Sequence, residues 1–317
     1  MFKLVVQFRE IMKKASLIII LSAITASQLF AQSTYDFLRM DMSARAAALG
    51  GTYVSNATDP DVIFYNPAGI KTIENAPISF SFVKHLLDIN SASLASSFYI
   101  GGLGKFGAAI QYINYGDFDK ADEFGNKTGN FSAGDILMLL GYTNSLAENF
   151  NYGINVKYIY SNIDEFSSTG MAGDIGLQYL IPESGWNFGF SVLNLGDQLT
   201  YYSYTEETIP TSVQFGFSKK LAHTPLQLFF SFNRLNVENR FDYFNAGVEF
   251  TLSKVIQLRF GFDNNKRKEQ KIASSSGLAG ISFGLGINLS SYNFNYAYSS
   301  MGLIGAMHRI GIAAVIE

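Results

Sequence analysis

Residues 152–160 read Tyr-Gly-Ile-Asn-Val-Lys-Tyr-Ile-Tyr, so that Tyr152, Ile154, Val156, Tyr158 and Tyr160 alternate with Gly153, Asn155, Lys157 and Ile159. Residues 186–192 repeat the pattern, with Trp186, Phe188, Phe190 and Val192 set between Asn187, Gly189 and Ser191. A two-residue period places one set of side chains on each face of a strand. Here one face is apolar or aromatic and the other mostly small or polar, which suits a wall with lipid outside and a wet lumen inside. The pattern recurs in about fourteen runs from Ile78 onward, an even number that returns the chain to the side where it began. The expected fold class is all-β: a transmembrane antiparallel β-barrel, its lumen plugged by a short N-terminal helical hatch.

Composition agrees with strands rather than helices as the spanning element. The 317 residues are 48% hydrophobic, 15% aromatic and only 15% charged, yet mean hydropathy is a modest +0.12. Helical spans need apolar runs of roughly 20 residues, and none occurs beyond the N-terminus. The one sustained apolar run, Leu17 to Ile24, follows Lys13 and Lys14 and leads to Ala31. This reads as a signal peptide over 1–31, with Met12 as the true start and cleavage after Ala31. The expected organisation is then signal peptide 1–31, hatch 32–77 and barrel 78–317, in a bacterial outer membrane. Losing residues 1–31 takes the formal charge from −3 to −6, which makes nucleic acid a poor partner. The absence of cysteine removes disulfides, thiolate catalysis and cysteine metal sites together.

The connections alternate long and short, as in outer-membrane barrels. Long outside loops are expected over 116–132, 161–169, 196–210 and 264–276, with short periplasmic turns such as 102–104, 182–185, 253–254 and 290–291. A slip in alternation near Gly280 suggests a bulge. Ahead of the barrel, Ser43 is a good N-cap for Ala44 to Leu49, and Gly50-Gly51 stops that helix. Asp59-Pro60 starts a second turn, which Asn66-Pro67 should end. Helices this short are marginal alone, so they should pack in the lumen. There Arg45 is expected to pair with Asp174 or Glu249 by charge.

The segment Arg45-Ala46-Ala47-Ala48-Leu49-Gly50-Gly51, followed by Asp59 and Asn66-Pro67-Ala68-Gly69, resembles the N-terminal hatch of the FadL-like superfamily. Within it the chain is most similar to the PorV/PorQ family, on the PorQ side. The segments that carry this are Tyr35-Asp36-Phe37-Leu38, Asn114-Tyr115-Gly116-Asp117-Phe118, residues 218–225 and residues 278–284. The last strand departs from the usual barrel pattern in lacking a terminal aromatic residue. The resemblance implies a fourteen-stranded plugged barrel and a non-enzymatic part of the type IX protein secretion system. It further implies an attachment complex with PorZ-, PorU- and PorV-like proteins, in which the barrel anchors a PorZ-like surface partner and cargo is attached to lipopolysaccharide. The alternative is a FadL-like transporter of small hydrophobic compounds, which would need an apolar tunnel through the hatch.

Three clusters are candidate working surfaces. Asp117, Asp119, Asp122 and Glu123 form an acidic group whose spacing fails the calcium-loop pattern. With Tyr201, Tyr202 and Tyr204 beside Glu206 and Glu207, they are candidate partner-docking loops, since aromatic anchors with a polar rim dominate interfaces. The tyrosines would equally serve as an aromatic girdle at the membrane boundary. Lys266, Arg267, Lys268 and Lys271 are candidate contacts for anionic lipopolysaccharide, or ordinary loop charge. Ser81-Phe82-Val83-Lys84, Lys127-Thr128-Gly129 and Ser291-Tyr292-Asn293 mimic penicillin-binding motifs, but Ser81 lies in a strand and the Lys-Thr-Gly precedes the middle motif. No catalytic residue, metal or cofactor is expected.

Overall fold

The computed structural model describes residues 34–204, 206–271 and 275–316; the expected signal peptide lies outside them. Fourteen strands, each antiparallel to its sequence neighbours, close into one barrel in which β1 pairs with β14. They are β1 (Ala76–Lys84), β2 (Asn90–Ile100), β3 (Gly104–Ala121), β4 (Lys127–Ala147), β5 (Phe150–Ile163), β6 (Phe166–Ile181) and β7 (Trp186–Thr200). The second half comprises β8 (Ser212–Lys220), β9 (Leu226–Phe232), β10 (Phe244–Thr251), β11 (Ile256–Asp263), β12 (Ile281–Leu289), β13 (Tyr292–Ser300) and β14 (Ala306–Ile316). Closure leaves no sheet edge facing lipid, the condition for strands to cross a bilayer.

The alternation that decides the fold holds in space. In β5 the side chains of Asn151, Asn155, Lys157 and Ile159 are buried toward the lumen, while Ile154, Val156 and Tyr158 are exposed on the outside. Outward rings form a belt near one end, running through Phe98, Phe106, Tyr142 and Tyr152. It continues through Trp186, Phe188 and Phe217, from which ring contacts climb through Phe230 to Phe244 at the outer start of β10, with neighbouring centroids 5.6–6.4 Å apart. Such a girdle marks a membrane–water boundary. Ala76 faces Ile316 at that same end, which an even-stranded barrel places in the periplasm.

The opposite, outer end is uneven. Strands β3 to β7 are 14–21 residues long, whereas β8 to β14 are 7–11. Two of the expected long loops are therefore strand. Most of 116–132 extends the β3–β4 hairpin, which pairs from Asp117↔Ser132 to Ala121↔Lys127. Within 161–169, Ile163 pairs with Phe166 across a two-residue turn. Above the membrane both faces of a strand are wet, so the ladder continues while the apolar alternation fades. The Gly280 slip is also no bulge: this glycine, at φ 80, precedes β12, and the register shifts fall elsewhere, as at Asn114/Asp117 and Gly173/Ile175.

The hatch fills the lumen from a 3-10 turn (Thr34–Arg39) at the outer end to Ile73 at the periplasmic end. Helix α1 (Ala44–Ala48) starts where Ser43 accepts the Ala46 amide and stops at Gly50 and Gly51, with φ 68 and 82. Asp59 precedes the turn Pro60–Phe64 but makes no side-chain cap; its Oδ2 accepts from Arg45, Tyr53 and Asn56 instead. That turn ends before Asn66-Pro67, the Asn66 amide donating to the Val62 carbonyl at 2.8 Å, and Asn66 also starts a further turn (Pro67–Thr72), its Oδ1 accepting the Ala68 amide at 3.1 Å. Tyr53, Ile63 and Ile70, all fully buried, form the hatch core against Ala95, Ala109 and Leu139 of the wall. Burying each isoleucine stabilises the seat by roughly 2–3 kcal/mol.

The barrel wall is shaped for this plug. Lumen-facing glycines pair across strands at Gly107↔Gly141, Gly153↔Gly176, Gly189↔Gly216 and Gly247↔Gly261. A Cβ on Gly153 would come within 2.5 Å of Pro67, and one on Gly247 within 2.7 Å of the Leu49 carbonyl. The hatch backbone therefore lies directly on the wall at these points.

Candidate functional site

The lumen divides into a latch, an outer vestibule and a rim. In the latch, Arg45 on α1 donates through Nε and Nη2 to both carboxylate oxygens of Glu249 on β10, each at 2.9 Å. Arg259 on β11, facing Glu249 in register, adds a third bond at 2.6 Å, and Arg45 also reaches Asp59 at 3.0 Å. Burial opposes the charge on Arg45, but Glu249 overrides it and holds the guanidinium firmly protonated. Glu249 rather than Asp174 is thus the partner of Arg45; Asp174 pairs with Lys157 at 2.9 Å. Nearby, burial and the adjacent Asp59 push Asp61 up to about 6, while Ser79 donates to it.

Above the hatch lies a vestibule of about 580 Å³, bounded by Asp36, Arg39, Asp41, Tyr65, Arg234 and Arg309 among others. Arg309, fully buried on β14, donates to the Asp41 carbonyl and to Ser299. Lys266 reaches the Asp41 carboxylate at 2.9 Å and Asp263 at 3.3 Å. Burial would raise Asp41, yet Lys266 and Arg309 hold it below the usual carboxylate range. Lys266 therefore faces the vestibule rather than lying free on an outside loop: two largely buried carboxylates draw it inward. Lys268 is engaged by Asp242 at 2.7 Å, while Arg267 and Lys271 are exposed. These four come from helix α2 (Asn264–Glu269), which Asp263 caps, and the residues after it.

At the rim, the acidic cluster is strand and tip rather than loop. Asp119 pairs with Lys127 at 2.6 Å, and Asp122 accepts the amides of Phe124 and Asn126 to close the hairpin. Asp117 and Glu123 remain exposed. Register puts Phe118 opposite Phe131, stacked at 5.2 Å, on the face that continues the lumen wall. On the same face Ile163 pairs with Phe166, and Phe118, Ile163 and Phe166 are 41–52% exposed. Of the tyrosines, Tyr202 turns inward and donates to Ser161, whereas Tyr201 and Tyr204 are open to solvent. The aromatic belt lies at the other end and does not include them. Ser81 faces the lumen and Lys84 the outside, so the penicillin-binding mimic is split across β1. No group of His, Asp or Glu among the described residues is arranged to hold a metal ion.

Sequence reasoning missed Asp41, Arg39, Arg234 and Arg309, none of which lies in a motif. Only the alternation of β14, which places Arg309 beside Met307 and Gly311 on the inner face, carried a signal.

The fold has counterparts among solved structures. The toluene transporter TodX of Pseudomonas putida matches with TM-score 0.55 at 12% identity, over 91% of this chain and 98% of that one. The toluene transporter TbuX of Ralstonia pickettii matches with TM-score 0.53 at 13% identity, over 84% and 95%. A FadL homologue of Pseudomonas aeruginosa matches with TM-score 0.52 at 10% identity, over 86% and 97%.

The fold is that of the FadL-like outer-membrane barrels.

At these identities the likeness is one of architecture. No protein-family model matches the sequence, and no curated protein does.

Proposed function

We propose that this FadL-like barrel is a closed anchor in the outer membrane that presents its tall outer wall to a surface protein. The carrying observation is the β3–β6 extension. It rises past the apolar belt and exposes Phe118, Ile163 and Phe166, with Phe131 half-buried against Phe118, on a face that lipid cannot reach, because that face points to the barrel axis. Apolar and aromatic residues set in a polar rim are what protein interfaces use. The resemblance to the PorV/PorQ family gives the finer reading: a type IX secretion component, non-enzymatic, holding a PorZ-like protein in an attachment complex with PorU- and PorV-like partners. The test is affinity capture of the tagged protein from detergent-solubilised outer membranes, with partners identified by mass spectrometry. Stoichiometric PorZ-, PorU- or PorV-like proteins support the anchor; a clean monomer removes it.

The solved neighbours favour a second reading, passage of small hydrophobic compounds, since two of them are toluene transporters. Against it stands the mixed lining of the vestibule, where Arg39, Asp41, Arg234 and Arg309 interrupt the apolar surface of Leu38, Phe64, Leu137 and Met307. Uptake of labelled toluene into liposomes carrying the purified barrel decides between them. Flux above empty liposomes would establish transport.

A further inference from the structure

The vestibule holds two arginines whose needs are unmet. Arg39 gives Nη1 to Asp36 at 2.7 Å, but its Nε is buried with no partner. Arg234 has Glu269 no closer than 3.9 Å and lies over the Tyr243 ring at 4.8 Å. Both line the same cavity, and their like charges are felt: burial first, then Arg234, weakens the hold of Arg39 on its proton. Two guanidiniums facing one space with unused donors suit an oxyanion, which would accept from both and cancel their repulsion. Elsewhere the wall offers Gln111, Gln214 and Asn233, amides that both donate and accept, as sugar hydroxyls require, beside apolar Phe64, Leu137 and Met307, while its acids Asp41 and Asp263 are engaged by Lys266. The cavity of about 580 Å³ is of a size for one or two sugar rings and opens at the outer end.

We propose that the vestibule binds an anionic saccharide, with its phosphate or carboxylate between Arg39 and Arg234 and its hydroxyls on the amide wall. This ligand chemistry is independent of whether the barrel anchors a protein or passes toluene. Two sources supply it from outside: the phosphorylated core sugars of lipopolysaccharide, and free sugar phosphates or uronates.

Isothermal titration of the full-length barrel in detergent with glucose 6-phosphate, galacturonate, glucose and delipidated lipopolysaccharide core oligosaccharide tests the site. At least one anionic sugar should bind about tenfold or more tighter than glucose. Arg39→Gln and Arg234→Gln should each weaken it by about tenfold or more. Arg234 is on the β9–β10 connection, away from the hatch seat, so R234Q tests the site without disturbing the plug; unchanged heat-dependent gel mobility confirms the fold. Binding of core oligosaccharide alone assigns the site to lipopolysaccharide, and binding of the small sugars assigns it to free ligands. No binding of any anionic sugar at millimolar concentration, or equal binding by wild type and the R39Q/R234Q double variant, overturns the proposal.

Discussion

Arg45 of the hatch and Glu249 of the barrel wall, 204 residues apart in sequence, form a two-bond fork with both distances at 2.9 Å. Arg259 shares the same carboxylate, so one acid holds two cations at the hatch–wall boundary. Removing Glu249 leaves two buried guanidiniums facing each other, a change that costs about 3–5 kcal/mol in a buried pair. Glu249→Ala should therefore loosen the hatch while the strand ladder persists. Planar-bilayer recordings are expected to show channel openings in E249A where the wild type stays closed. A silent E249A barrel would mean that packing alone seats the plug.

The glycine pairs make a separate prediction, because they act through contact rather than charge. A side chain at Gly153 would collide with Pro67 and Ala68, and one at Gly247 with Leu49. Gly153→Val and Gly247→Val should expel the local hatch backbone and make it accessible to added protease. Gly129→Val is the control: it lies in the outer hairpin with open space around it. Overpacking of this kind typically costs about 1–3 kcal/mol. Equal protease resistance in all three variants would count against the wall as the hatch seat.

How far the sequence carried this picture depends on which face of a strand is considered. Outward positions such as Ile154, Val156 and Tyr158 are set by lipid, a uniform solvent, so their alternation announced both the strands and the closed barrel. Inward positions answer to one particular plug. Gly153 and Gly176 look like generic small lumen residues until Asn66 and Pro67 are placed against them. The fork between Arg45 and Glu249 was anticipated from charge, although Asp174 looked equally suitable until Lys157 claimed it. Lys266 misled because a basic run on a presumed loop gives no hint that Asp41, 225 residues away, will pull one member inside. The tall wall misled for a different reason: outside the bilayer a hydrogen-bonded strand no longer needs an apolar face.

Asp61 gives the hatch a pH dependence whose sign is fixed. Burial and the Asp59 charge raise its pKa from 3.8 to about 6. The folded hatch thus favours the protonated acid, a contribution fully present below the ordinary carboxylate pKa and lost as pH rises through about 6. The span corresponds to on the order of 3 kcal/mol. Hydrogen exchange of hatch amides in Asp61→Asn should then be flatter between pH 4 and 7, at about these carboxylate bounds, than in the wild type. Parallel curves for the two proteins would show that Asp61 does not set the response.

The last prediction concerns the wall that carries the functional reading. Phe118 and Phe131 stack at 5.2 Å on the inner face of the β3–β4 extension, and neither contributes to the hatch core. Around them the outer segments 116–132, 161–169 and 196–211 carry nine acids and two lysines. A partner that fits this face is apolar at its centre and basic at its margin, and an anionic glycan does not fit it. Phe131→Ala should lower partner recovery from solubilised membranes about tenfold or more, the loss expected for an interface anchor. Gel mobility of the barrel should not change, because the stack is outside the closed ladder of the membrane zone. Recovery should also fall with added salt, since the acidic margin contributes by long-range attraction that counter-ions screen. Undiminished recovery with F131A and with Phe118→Ala would move the interface elsewhere on the rim, toward Tyr201 and Tyr204, where the same measurement on Tyr204→Ala would find it.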